Sequence, residues 1–230
     1  DSVTKYWPQA EHFVLHAGQK LYLADAEIEI LPPFESRSYV DLTISALASF
    51  GADVSFSDTY KIVIKASEKK AFSGKIEGDY SNAAFLDAFN YLGSEVCVDN
   101  LNPESQQGDR VYKSYFHQIS TGTPTLDISD CPDLGPILFA LASMKNGAVF
   151  TGTERLKAKE SDRGLAMHEE LKKLSGGLIF GDNMITVTKQ KLQYNGTPIS
   201  GQNDHRIVMA MSVILTKTGG VRSEERRVGK

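Results

Sequence analysis

CPDLGPILFALASMKNGAVF, residues 131–150, carries no charged or strongly polar side chain between Leu134 and Ala142. Leu134, Ile137, Leu138 and Leu141 recur at helical spacing, and Gly147 closes the helix before a strand begins. A helix that is apolar on nearly every side must be buried on nearly every side. IVMAMSVIL, residues 207–215, has the same character. The plan of polar turn, helix, Gly and strand recurs on both sides of this stretch. In YVDLTISALASFGADVSF, Val40, Ile44 and Leu47 share a face, Gly51 follows, and YKIVIKA (60–66) alternates as a strand. GDYSNAAFLDAFNYLGSEVCV places Ala84, Phe85, Ala88, Phe89 and Leu92 together before Gly93, with a strand expected around Cys97. ESDRGLAMHEELKKLSGGLIF has Met167, Leu171 and Leu174, then Gly176 and Gly177, and MITVTK (184–189) follows as a strand. NDHRIVMAMSVILTKTGGV turns Ile207, Val208, Met211, Ile214 and Leu215 inward.

Five such units read as an α/β protein. A doubly wound sheet covered by helices on both faces is one arrangement. Strands 60–66 and 184–189 alternate polar and apolar residues, which suits a sheet with one solvated face. The expected architecture is therefore inside-out, with helices buried and sheets outside.

The 230 residues suffice for one large domain or two small ones. A formal net charge of −4 gives no reason to expect a nucleic-acid partner. Cys97 and Cys131 are too few for a disulfide framework or a thiolate metal site, and buried free thiols suit a reducing cytoplasm. No stretch approaches the roughly 20 apolar residues of a membrane span. The start, DSVTKYWPQAEHF, has neither a basic segment followed by an apolar one nor an initiator Met, so a fragment or processed product is expected.

Charge gathers where helices begin. KAKESDRG (157–164) and NDHR (203–206) both open helices, and Asp133 precedes a third. Asp at such a place caps free N–H groups and suits the helix dipole, a sufficient reading for any one of them. Arg163 and Arg206 need more, because a cation at a helix N-terminus is unfavourable by roughly 0.3–1 kcal/mol. An anion bound there would reverse the sign, since N–H groups, dipole and guanidinium would converge on it. Lys159 adds a further positive charge. The pattern predicts a polyanionic ligand of phosphate and carboxylate groups, with Asp133 and Glu160 as carboxylates suited to proton transfer. His205, between Asp204 and Arg206, reads equally well as structural or functional.

KESDR (159–163), NDHRIVMA (203–210), DCPDLGPILFALA (130–142), IEGDYSNAAF (76–85) and SRSYVDLT (36–43) together resemble the 5-enolpyruvylshikimate-3-phosphate synthase family across Ile28 to Val221. The resemblance implies two similar domains built from repeated βαβαββ units, helices inside, with the chain crossing between domains near EGD. Residues 1–77 would then be a remnant of the shikimate-phosphate domain, and 78–221 most of the second enolpyruvyl transferase domain. It implies transfer of the enolpyruvyl group of phosphoenolpyruvate to the 5-hydroxyl of shikimate 3-phosphate in the cytoplasm. By motif, Asp133 and Glu160 resemble the acid/base carboxylates, Asp133 also touching the shikimate hydroxyls. Lys159 resembles the lysine between the substrates; Arg163 and Arg206, with His205, the phosphoenolpyruvate contacts; Ser36 and Tyr39, the shikimate 3-phosphate contacts. No metal or organic cofactor is implied, nor a membrane or nucleic-acid partner, and the full-length enzyme is expected to be a monomer.

Three departures accompany the resemblance. The chain is about half a full-length enzyme of that family, so N-terminal substrate contacts lie outside it. DSVTKYWPQAEHFVLHAGQKLYLADAE stands where a serine–serine–glutamine phosphate motif is expected, as a frame error over residues 1–23 would produce. RSEERRVGK (222–230) is foreign to the family and matches the translation of a common sequencing adapter, so it is expected to be a non-native tail. With contacts missing from both ends, little or no catalysis is expected of this chain by itself. UDP-N-acetylglucosamine enolpyruvyl transferase, the nearest rival, uses a loop Cys and lacks KESDR. A terminal-phosphate cyclase of RNA would want a basic surface. A non-catalytic anion-binding module of the same fold would have no need of all six charged residues together.

Overall fold

A computed structural model describes residues 25–219; the expectations for 1–23 and 222–230 lie outside the described residues. The chain divides into two compact units, one running to Glu77 and including Gln106–Gly108, the other formed by Gly78–Ser105 and the chain from Asp109 onward.

In the first unit, β1 (Ala26–Glu29), β2 (Asp53–Asp58) and β3 (Lys61–Lys65) make an antiparallel sheet in the order β1-β3-β2. Val54 pairs with Ile64, and Phe56 with Ile62. Val54, Ile62 and Ile64 are buried while neighbouring residues of both strands stay more open, the alternation of a sheet solvated on one face. Helix α1 (Arg37–Ser49) covers the apolar face, with Val40 buried and Ile44 and Leu47 packed against the same cluster.

The second unit holds α2 (Tyr80–Tyr91), α3 (Tyr112–Thr121), β4 (Thr125–Asp127), α4 (Gly135–Met144), β5 (Ala148–Thr151), α5 (Arg163–Lys172), β6 (Ile179–Gly181), β7 (Met184–Val187) and α6 (His205–Thr218). Its sheet runs β4-β5-β7-β6, with β4 and β5 parallel and the other pairs antiparallel. A parallel pair requires a crossover connection, and α4 lies within it. Every residue of α4 from Gly135 to Ser143 is buried. It packs against α2, α3, α5, α6 and β7. Burying each large apolar side chain contributes roughly 1.5–3 kcal/mol, so the apolar run centres this core. β5 and β7 alternate buried and half-open residues. Helices inside and sheets outside is the arrangement observed. Gly147 sits between α4 and β5 at φ 82°, where a Cβ would stand 2.6 Å from the Val187 carbonyl oxygen, so both dihedral and space require glycine.

Three expectations are corrected. The segment after α2 forms no strand, and Cys97 is exposed. The Asn90 side chain takes the backbone there instead: Asn90 Nδ2 donates to Val96 O at 2.8 Å, and Val96 N donates to Asn90 Oδ1 at 2.6 Å. Val208 is 40% exposed, on the α6 face that also carries exposed Ser212, while Ile207, Met211 and Ile214 point inward as read. Finally, α3 and β4 fall outside the five repeating units. Tyr112, Phe116 and Ile119 give α3 its buried face at i, i+4, i+7 spacing.

Candidate active site

Four helix starts in the second unit supply one network of charge. Asp162 caps α5, accepting from Leu165 N at 3.0 Å, so that Arg163 is its first residue. Asp204 caps α6, accepting from Arg206 N at 2.9 Å. Asp79 caps α2 through Ser81 N and Asn82 N. A single 3-10 turn, Pro132–Leu134, leads into α4 and presents Asp133. Just before Asp204, Gln202 and Asn203 adopt left-handed φ values of 51° and 58°. This conformation costs most residues roughly 1–2 kcal/mol, though Asn tolerates it better.

Arg163 is the hub, with a side chain only 1% exposed. Its Nη1 donates to Asp133 Oδ1 at 2.6 Å, Nη2 to Glu160 Oε2 at 2.6 Å, and Nε to Asp204 Oδ2 at 2.9 Å. Arg206 Nη2 donates to Asp133 Oδ2 at 2.8 Å and Nη1 to Ser81 Oγ at 2.9 Å. Lys159 Nζ stands 3.4 Å from Asp133 Oδ1. Ser161 Oγ donates to Asp204 Oδ2, and Ser81 Oγ to Asp79 Oδ1. His205 Nδ1 lies 3.9 Å from both Glu160 Oε1 and Asp204 Oδ1, too far for a hydrogen bond. That nitrogen and Arg206 Nε are buried with no hydrogen-bond partner among the described residues.

The sequence thus brings Asp133, Lys159, Glu160, Arg163, His205 and Arg206 to one place. Ser36 and Tyr39 belong to the other unit. Ser36 precedes α1 at φ 59°, buried, with its Oγ unpartnered among the described residues, and Tyr39 is half-buried in the first turn of α1. Ser81 and Asp204, with Asp79 and Ser161 bonded to them, escaped the sequence reading as members of the site. Ser81 follows the EGD motif by two residues, and Asp204 reads as a cap while its second oxygen holds Arg163. A further departure concerns partners. Arg163, expected to face a ligand anion, is surrounded in this structure by three of the protein's own carboxylates. These offset the cost of a cation at a helix start.

Burial pushes the Asp133 carboxyl upward in pKa, but Arg206, Lys159 and Arg163 more than offset this, leaving it below the ordinary carboxylate value. Asp204 follows the same pattern, burial opposed by its bonds from Arg163, the Arg206 backbone and Ser161, with a lowered result. Arg163 is raised: burial disfavours its charge, and Asp133 and Asp204 overcome that. A folded-state pKa below the unfolded value gives stability that is present above about pH 3.9 and is lost as pH falls through the folded pKa. Urea unfolding of Asp133→Asn beside the unaltered protein should show a stability gap that is full at neutral pH and narrows from about pH 4 downward. A gap that widens in acid would mean the network does not favour ionised Asp133.

Solved structures share this fold. EPSP synthase from Acinetobacter baumannii superposes with a TM-score of 0.69 at 20% identity, covering 96% of this chain and 57% of that one. The enolpyruvyl transferase NikO from Streptomyces tendae gives 0.52 at 11% identity, covering 84% and 50%. The fold is that of the enolpyruvyl transferases. Among curated relatives, the 3-phosphoshikimate 1-carboxyvinyltransferase of Clostridium kluyveri is 35% identical over 216 residues, covering 86% of this chain and 50% of the relative. That of Clostridium acetobutylicum is 35% identical over 211 residues, covering 82% and 48%. The EPSP synthase (3-phosphoshikimate 1-carboxyvinyltransferase) family model matches residues 13–227, wider at both ends than the motifs suggest, and the chain belongs to that family. It spans about half the length of the curated relatives it matches.

Proposed function

We propose that this chain is part of an enzyme that transfers the enolpyruvyl group of phosphoenolpyruvate to the 5-hydroxyl of shikimate 3-phosphate. The 5-hydroxyl oxygen adds to C2 of the enol as its methylene carbon takes a proton. The tetrahedral adduct then loses phosphate, and a proton leaves the new methyl group to restore the double bond. The observation that carries this reading is the meeting of Lys159, Arg163 and Arg206 with Asp133 and Glu160 at the starts of helices. Two polyanionic substrates need such cations, and both proton steps need a carboxyl group.

The carboxylates divide the work by environment. Asp133 is held ionised by three cations, so it suits orienting the attacking hydroxyl. Glu160, 45% exposed, bonds Arg163 through Oε2 while Oε1 faces the imidazole of His205, and it is the proton carrier. Arg206 and His205 receive phosphoenolpyruvate, Arg163 joining them only by releasing one of the carboxylates it holds here, and Lys159 lies between the substrates. Ser36 and Tyr39 contact shikimate 3-phosphate, residues 1–77 forming the remnant of that domain and 78–221 most of the second. The reading assigns no metal or organic cofactor and places a monomeric full-length enzyme in the cytoplasm. No helix among the described residues is long and apolar enough to cross a membrane.

The test is phosphate release and enol-ether formation by the full-length protein given both substrates; no product by NMR would refute the reading. In the same assay Arg206→Ala should raise the KM for phosphoenolpyruvate by about 10- to 100-fold, the loss expected for a charge-assisted hydrogen bond. An unchanged KM would leave Arg206 as a partner of Asp133 and Ser81 only.

A further inference from the structure

One further carboxylate of the second unit stands outside the arginine network and has no part in the proposed reaction. Glu170, on α5, is completely buried. Lys173 Nζ donates to both its oxygens, at 2.9 and 2.8 Å. The remaining contacts come from the loop that leads into α6: Ser200 N donates to Oε2 at 2.8 Å and Gln202 Nε2 to Oε1 at 3.0 Å. Lys173 Nζ also donates to Pro198 O at 3.1 Å. An ion pair with a buried carboxylate and a half-open lysine thus grips a loop that ends in the left-handed pair Gln202–Asn203 and then Asp204, whose N donates to Gly201 O. Ile199 anchors the same loop in the apolar core, but an apolar contact does not set dihedral angles.

We propose that Glu170 is a positioning residue for the arginine–carboxylate site, holding the 198–202 loop so that the turn at Gln202–Asn203 delivers Asp204 to Arg163 and Arg206 to Asp133. Two consecutive residues in a disfavoured conformation persist only where the surroundings over-determine them. Glu170 supplies that restraint with directional bonds to the backbone at Ser200 and to the side chain at Gln202. A carboxylate suits the place because Lys173 Nζ, Ser200 N and Gln202 Nε2 all donate to it, and a neutral amide would set N–H against N–H. What the positioned site binds rests on the proposed function; the positioning itself does not.

The test compares this chain with Glu170→Gln by NMR-detected hydrogen exchange and by titration with phosphoenolpyruvate in the presence of shikimate 3-phosphate. In the variant, the Arg163 Nε–H and the backbone amides of 200–206 should exchange about 10-fold faster or more, while the α4 amides keep their protection. The apparent Kd for phosphoenolpyruvate should rise by about 10-fold. Faster exchange that reaches α4 equally would make Glu170 an ordinary stability residue. Unchanged exchange at Arg163 and 200–206 would show that the loop holds itself. Either result overturns the proposal. If Glu170→Gln does not fold, Gln202→Gly removes one donor while accepting the left-handed turn, and the same local acceleration is expected; its absence overturns the proposal as well. Should the unaltered chain bind no phosphoenolpyruvate, the functional reading is decided by the full-length assay above, while the exchange data decide the role of Glu170.

Discussion

Arg163→Met should lower the unfolding free energy of the second unit by about 3–5 kcal/mol, the usual cost of removing one partner from a buried ion pair. The substitution leaves Asp133, Glu160 and Asp204 without their common partner, and Asp204 is fully buried. Lys159 and Arg206 still flank Asp133, so the loss should fall hardest on Asp204, which would keep only Ser161 and the Arg206 backbone. Arg163→Lys should recover part of the loss, because an ammonium restores the charge but cannot send three fixed N–H groups to three carboxylates. Urea unfolding followed by circular dichroism measures both. A loss below about 1 kcal/mol for Arg163→Met would mean that the three carboxylates find other partners at little cost.

The second large effect is chemical. In the full-length protein, Glu160→Gln keeps the size of the side chain and an oxygen for Arg163 but removes the ionisable proton. Turnover should fall by about 10²–10⁴-fold, the usual contribution of general acid–base help. Affinity for shikimate 3-phosphate should change little, since the proposed contacts to it are Ser36, Tyr39, Asp133 and Lys159. Steady-state kinetics with both substrates separates these outcomes. Near-normal turnover would reduce Glu160 to a carboxylate that neutralises Arg163 at the start of α5.

Much of this was legible in the sequence, for physical reasons that differ from place to place. The 134–142 run has no polar side chain to expose, so its burial follows from composition alone. Gly147 and the alternation of β3 and β7 mark where helices stop and which faces of the sheets are wet. Charged clusters at the openings of α5 and α6 marked the site. What stayed hidden is partner choice. Nothing in local periodicity says that Arg163 meets an Asp 30 residues before it and another 41 residues after it. Cys97 was misplaced because a side-chain amide, that of Asn90, satisfied backbone groups that a strand would otherwise pair. Val208 was misplaced because a nearly continuous apolar run does not show which of its residues faces water. Glu170 left no signal at all, since a Glu two residues before Lys172 on a polar-looking helix reads as solvated surface until the loop it holds is seen. The motif resemblance pointed to the family and implied the roles proposed above; local physics pointed to the helices and the charges.

The hydrogen bond from Arg206 to Ser81 joins residues 125 positions apart, and that to Asp133 joins residues 73 apart. Contacts of such separation form only after the entropy of closing long loops has been overcome, and chains dominated by them fold slowly. The site therefore requires both ends of the unit to be in place. A ribosome must release α6, near the far end of the unit, before α2 can receive its guanidinium, and no earlier intermediate owns a complete set of charges. Nascent chains would carry Asp133 and Arg163 with some of their partners still missing. The network of this unit is accordingly complete only once α6 is in place, and any ligand of the proposed site would select the finished fold and pull slow or destabilised variants toward it by mass action.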